Sequence, residues 1–206
     1  MEDVLSVYMR PYNAKRPMVC IDEKSKELRS EVQEPIRMRV GQQKRQDSEY
    51  RREGTANLFM CIEPLMGKYV VRATERRCAK DFAHILQHLA DNVYAQAETI
   101  VIVVDNLNTH SPHCLYEAFS APEARRLAER FEWHQTPEHG SWLNIAECGL
   151  SILSRQCLNR RIPDMQTLIN EVAAWEQAST AKTHKIDWQF TTHDARIKLK
   201  RLYPIL

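Results

Sequence analysis

The clearest hydrophobic pattern in the chain is the unbroken run over residues 99–104, Thr-Ile-Val-Ile-Val-Val, β-branched throughout. Such a run predicts a central strand covered on both faces. A shorter run over 17–23, Pro-Met-Val-Cys-Ile-Asp-Glu, predicts a second buried strand. Both end in acid, at Asp22 and Asp105. Residues 56–63 and 68–75 read as two strands joined across Pro64-Leu-Met-Gly67, a hairpin with a slightly long loop. Between 81 and 94 the apolar residues recur at 82, 85, 86, 89 and 93, the spacing of an amphipathic helix capped near Asp81. Short helices follow Pro112 and Pro122, and 132–136 is a brief strand. A helix is predicted over 142–158, weakened by Gly149, and Pro163 opens another reaching about 178. A basic helix over 192–202 closes the chain. Residues 36–54, rich in Arg, Gln, Lys and Glu without periodicity, read as a long surface excursion. The order of elements predicts an α/β fold: a mixed sheet with helices on both faces.

Composition narrows the class without naming a chemistry. With 206 residues and 43% apolar positions, the chain can bury one sizeable core, which excludes disorder and small disulfide scaffolds. Residues 1–16, interrupted by Pro11, read as an arm, and 17–206 as one domain. Six cysteines are scattered with no CxxC pair, so reduced thiols are expected. No apolar run approaches the roughly 18 residues of a membrane span. Residues 1–10 lack the plan of a signal peptide, so a cytoplasmic address is expected. The net charge of +2 neither announces nucleic acid nor excludes it.

Asp22 and Asp105 are the first candidates for chemistry, because ligands gather at the C-terminal strand edge of open α/β sheets. A single acid there ordinarily opens a turn. Glu147, beside the apolar face of the 142–158 helix, adds a third carboxylate in need of a partner or a cation. Like charges about 4 Å apart repel by about 4 kcal/mol at an effective dielectric near 20. Converging acids must therefore take up protons or bind metal. Oxygen donors alone select Mg²⁺ or Mn²⁺ over Zn²⁺. Two such ions suit phosphodiester displacement.

The blocks that carry these acids are Cys20-Ile-Asp22-Glu23, Val104-Asp105-Asn-Leu-Asn-Thr-His110 and Thr136-Pro-Glu-His-Gly-Ser-Trp-Leu-Asn-Ile-Ala-Glu147. Together they resemble the signature blocks of DDE-superfamily transposases, most nearly the bacterial insertion-sequence-630 family, relatives of the mariner elements. The resemblance implies an RNase H-like five-stranded mixed sheet with Asp22, Asp105 and Glu147 as catalytic, metal-holding residues for Mg²⁺ or Mn²⁺, two ions in all. It implies DNA as partner, both element ends and target duplex, and a homodimer in the active complex. The expected activity is metal-dependent cleavage followed by strand transfer. Full-length members carry helix-turn-helix modules ahead of the catalytic core. Here about sixteen residues precede the first strand, so a catalytic domain without those modules is expected. Glu138 stands where the family usually has a basic residue, which should weaken contact with DNA.

Around the acids, Asn106, Asn108 and His110 could orient water or touch phosphate, or simply cap their loop. His139, Ser141 and Asn144 could serve DNA binding or support the acids, with Ser141 a possible N-cap. Trp142 is expected in the core. Glu23 should point to the strand face opposite Asp22 and not ligate metal. His110, His113 and Cys114 lack the second ligand pair that a zinc site needs. Arg196, Lys198, Lys200 and Arg201 form the densest basic stretch. Two other readings stay open: an RNase H-like nuclease that only hydrolyses, and a catalytically silent DNA-binding remnant.

Overall fold

The protein is described by a computed structural model covering all residues except 44, 108, 109 and 204–206. Its strands are β1 (Met18–Glu31), β2 (Tyr50–Glu63), β3 (Lys68–Thr74), β4 (Ile100–Val104) and β5 (Phe131–Gln135). They form one five-stranded sheet in the order β3-β2-β1-β4-β5. The β1–β2 and β2–β3 pairs are antiparallel, whereas β1–β4 and β4–β5 are parallel. The helices are α1 (Glu2–Tyr8), α2 (Ala79–His88), α3 (His113–Ala118), α4 (Ala121–Ala128), α5 (Ala146–Leu153), α6 (Met165–Ala181) and α7 (Thr192–Lys198).

Strand alternation divides the core into two layers. Cys20, Met60, Val101 and Val103 face α1, α5 and α6, together with Val4, Leu5, Ala146, Leu150 and Trp175. Ile21, Phe59, Ile102 and Val104 face α2, α3 and α4, together with Phe82, Leu86, Leu115 and Leu127. Every residue of β4 is buried, as its continuous apolar run requires. This mixed sheet with helices on both faces agrees with the RNase H-like plan. Among the described residues no helix is long and apolar enough to cross a membrane.

The structure departs from the sequence reading in the reach of β1 and β2 and in the helix after β5, and residues 1–16, read as an arm, place Val4, Leu5 and Val7 of α1 in the core. First, β1 and β2 run far beyond the apolar segments, and residues 50–54 belong to β2 rather than to a surface excursion. The extension carries exposed polar side chains, so it leaves no apolar alternation to read. Its pairing comes from the backbone ladder, with a bulge opposite Leu28 and Arg29 where Gly54 has φ 129°. Second, no single helix spans 142–158. A 3₁₀ turn over Ser141–Leu143 is followed by Asn144 in extended conformation (ψ 109°), then α5, then a π-turn over Ser154–Leu158.

Candidate active site

Alternation along β1 sends its two adjacent acids to opposite sides of the sheet. Asp22 follows Cys20 toward α5, and Glu23 follows Ile21 toward α2 and α3. Asp105 is the residue after β4, whose Val104 pairs with Ile21 in parallel register, so it stands beside Asp22 where β4 ends and β1 runs on. Glu147 lies in the first turn of α5.

Asn144 holds that helix in place. Its side chain is buried and donates from Nδ2 to the Ile21 carbonyl (2.8 Å), next to Asp22. Its Oδ1 accepts from the Ala146 N–H (3.1 Å), and its carbonyl accepts from the Glu147 N–H (3.1 Å). Tyr8 of α1 braces the same stretch by donating to the Leu143 carbonyl (2.6 Å). Gly149 lets α5 close on β2, because a Cβ there would sit 3.3 Å from Cγ and Sδ of Met60. The tie from β1 to α5 is therefore made of backbone groups and one buried amide.

Burial pushes the Asp22 carboxyl up to about 7, and the charges of Asp105, Glu23 and Glu147 add to that rise. The Glu23 N–H, donating to Asp22 Oδ1 at 2.8 Å, only partly opposes it. Asp22 thus senses both of its expected partners. All three side chains offer oxygen, although among the described residues the three ligand atoms that lie within 4.8 Å of one another are those of Glu23, Asp105 and His110 and not those of Asp22, Asp105 and Glu147. A set of oxygen donors fits a hard divalent cation.

On the other side of Asp105 lies an arrangement that sequence reasoning did not foresee. Glu23 does point away from Asp22, but its side chain is 1% exposed and faces His110, also 1% exposed. His110 Nε2 lies 2.7 Å from Glu23 Oε2, and Nδ1 donates to Asp105 Oδ1. The Nε2 contact is close yet poorly aligned, leaving both Glu23 oxygens and Nε2 without a geometrically sound hydrogen bond. Burial works against charge on His110, but Asp105 and Glu23 outweigh it and hold the imidazole up at about 9. Its ring packs against Phe82 at 4.5 Å between centroids, and Gln135 Nε2 donates to its carbonyl at 2.9 Å. Arg77 Nε stands 3.7 Å from Glu23 Oε1. Glu23, Asp105 and His110 offer ligand atoms all within 4.8 Å of one another, a group able to hold a divalent ion. The available signal was a second acid at an inward position of β1, since a buried Glu requires a partner.

The remaining candidates scatter. Asn106 is exposed, and Asn108 lies outside the described residues. His139 (φ 60°) and Ser141 are exposed on the turn before α5, and Ser141 caps neither the 3₁₀ turn nor α5. Trp142, expected in the core, is 47% exposed and meets Phe190 edge-on. The break at Asn144 turns it away from the face a continuous helix would have buried. His113 is exposed while Cys114 is buried, so the two do not join His110 in one cluster. Arg196 of the basic tail is paired with Glu2.

An RNase H-like sheet whose C-terminal strand edge gathers acids defines the class. The chain belongs to the DDE superfamily endonuclease family, whose profile matches residues 17–169. No protein of curated function matches it. Among solved structures it is similar to the Mos1 mariner paired end complex with Mn (16% identity, TM-score 0.54, covering 88% of this chain and 54% of that one). It is also similar to the Mos1 strand transfer complex (16%, TM-score 0.55, 88% and 52%). A third is the Mos1 paired-end complex with the left transposon end (18%, TM-score 0.52, 89% and 52%). The chain spans about half the length of these structures.

Proposed function

We propose that this chain is the catalytic domain of a transposase of the insertion-sequence-630 group, with Asp22, Asp105 and Glu147 holding two Mg²⁺ or Mn²⁺ ions. The observation that carries the reading is the placement of Asp22 and Asp105 on adjacent parallel strands with Glu147 in the first turn of α5, which Asn144 ties to β1, in a chain of the DDE superfamily endonuclease family. The Asp22 carboxyl is driven up by burial and by Asp105, Glu23 and Glu147, and that cost is relieved when a cation replaces the proton. The chemistry such ions supply is activation of an attacking oxygen and stabilisation of a leaving one in phosphodiester displacement. Asp22, within β1, and Asp105, the residue after β4, stand on adjacent strands of the sheet. Glu147 completes the site from α5, at a position set by Asn144. Mos1, to which the fold is similar, has been captured as paired-end and strand transfer complexes, with Mn in one of them. By analogy the partners proposed here are element ends, target duplex and a second copy of the chain.

The test is nicking of supercoiled DNA carrying the element ends, with and without Mg²⁺ or Mn²⁺. Metal-dependent nicking is expected, abolished by Asp22→Asn, Asp105→Asn or Glu147→Gln. Joining of the freed 3′ end to a second duplex identifies strand transfer; cutting without joining identifies a hydrolytic nuclease. Nicking by Asp105→Asn at the parent rate would refute the site.

A further inference from the structure

Resting on that reading, we infer that Glu23 is a positioning residue for Asp105, acting through His110. The geometry is a chain of three side chains running across the sheet edge. Asp105 is the only one of the three proposed ligands that has neither a strand nor a helix under it, because β4 ends at Val104. Asn106 and Leu107, which follow it, are exposed. What fixes its carboxylate is the His110 Nδ1 donor on Oδ1. His110 is fixed in turn: its ring is packed on Phe82, its carbonyl is held by Gln135, and its Nε2 lies 2.7 Å from Glu23. Glu23 sits in the β1 ladder opposite Phe59 and has Arg77 at its other oxygen. The rigid element supporting Asp105 is therefore β1, reached through an imidazole.

The same three residues could instead hold an ion directly, since their ligand atoms lie within 4.8 Å of one another. That alternative requires His110 to exchange a carboxylate partner for the metal at one ring nitrogen. Both nitrogens already face carboxylates in a site that is almost sealed from solvent. The positioning role asks for no rearrangement. It follows the general rule that a ligating carboxylate is itself held by hydrogen-bonded partners behind it, whose loss costs roughly 10–100-fold in metal affinity or activity.

The experiment is a double-mutant cycle of Glu23→Ala and His110→Ala, read by calorimetric Mn²⁺ titration of the whole chain and by metal-dependent nicking. Glu23→Gln, of nearly the same size, stands in should either alanine variant lose its fold by circular dichroism. Each single variant should weaken Mn²⁺ binding roughly 10–100-fold. The double variant should be no weaker than the worse single one, since residues acting in series are not additive. Glu23→Gln, which keeps an acceptor toward Nε2, should recover part of the loss. Metal-free DNA binding should stay within about twofold of the parent, as both side chains are sealed from solvent. Additive losses, or a Glu23→Gln variant as impaired as Asp105→Asn, would make Glu23 a ligand and overturn the inference. Absence of Mn²⁺ binding by the parent chain would instead refute the metal reading on which the inference rests.

Discussion

Replacing Asn144 by alanine tests how the fold delivers Glu147 to the site. The side chain is 1% exposed and makes two bonds: Nδ2 to the Ile21 carbonyl at 2.8 Å, and Oδ1 from the Ala146 N–H at 3.1 Å. Each intramolecular hydrogen bond contributes a net ~0.5–1.5 kcal/mol, and leaving a buried donor unpaired costs ~1–3 kcal/mol. The Ala146 N–H is such a donor, at the start of a helix whose N-cap residue, Ile145, has no side-chain cap. The estimate for Asn144→Ala is therefore about 3 kcal/mol. For a chain of this size that corresponds to a fall in Tm of roughly 6–12 °C. Asn144→Asp should be worse, because it keeps the acceptor, loses the donor and adds a charge near Asp22 and Glu147. The assay is urea unfolding followed by tryptophan fluorescence, with the m-value compared between variants so that a change in midpoint reports stability alone. A loss below about 0.5 kcal/mol at unchanged m, the level of an ordinary surface substitution, would show that the amide does not tie β1 to α5.

Two further outcomes concern the frame around the site. Gly67→Ala should destabilise by more than about 2 kcal/mol in the same urea assay, since φ is 63° there and a Cβ would lie 2.6 Å from the His184 carbonyl oxygen; a neutral result would mean that the hairpin turn rearranges freely. Glu132 ties β5 to the segment between α1 and β1: burial opposes its charge, but hydrogen bonds from Arg10, His134 and Arg16 prevail and hold its carboxyl down at about 2. A depressed folded pKa gives stability that is present above the unfolded value near 4.5 and lost as pH falls toward 2. Glu132→Gln should therefore flatten the acid decline in that window, by at most about 3 kcal/mol. An unchanged slope between pH 4.5 and 2 would assign the decline to other carboxylates.

The parts of this fold that the sequence announces are those in which one segment's own pattern is sufficient. The apolar run of β4, the Pro64–Gly67 hairpin, the 3.6-residue period of α2 and the acid closing β4 are all of that kind, whereas β1 runs on past Asp22 to Glu31. What escaped notice depends on partners distant in the chain. The apolar spacing over 142–153 suits a helix, but the Asn144 amide bonds to a carbonyl 123 residues away and holds its own backbone extended. Trp142 leaves the core as a consequence. The exposed half of β2 exists because β1 pairs with it, and nothing in its charged residues shows that. Strand alternation places Glu23 on its correct face, yet the imidazole that meets it comes from the loop after β4.

That last case explains why two adjacent acids in β1 have opposite fates. Glu23 enters a layer that supplies cations, His110 at 2.7 Å and Arg77 at 3.7 Å, so its burial is compensated within the chain. Asp22 enters a layer that supplies Asp105 and Glu147 instead, and its carboxyl rises to about 7. The next residue on its face, Lys24, gives its ammonium to the Ser154 hydroxyl at 2.9 Å rather than to Asp22. Asp105 stands between the two environments, bonded to His110 on one side and repelling Asp22 on the other. A fold selected only for stability gains nothing from placing a third carboxylate beside such a pair, since like charges at close range cost several kcal/mol. In the proposed reading that cost is offset when a divalent cation binds between Asp22, Asp105 and Glu147, on the side of Asp105 opposite His110.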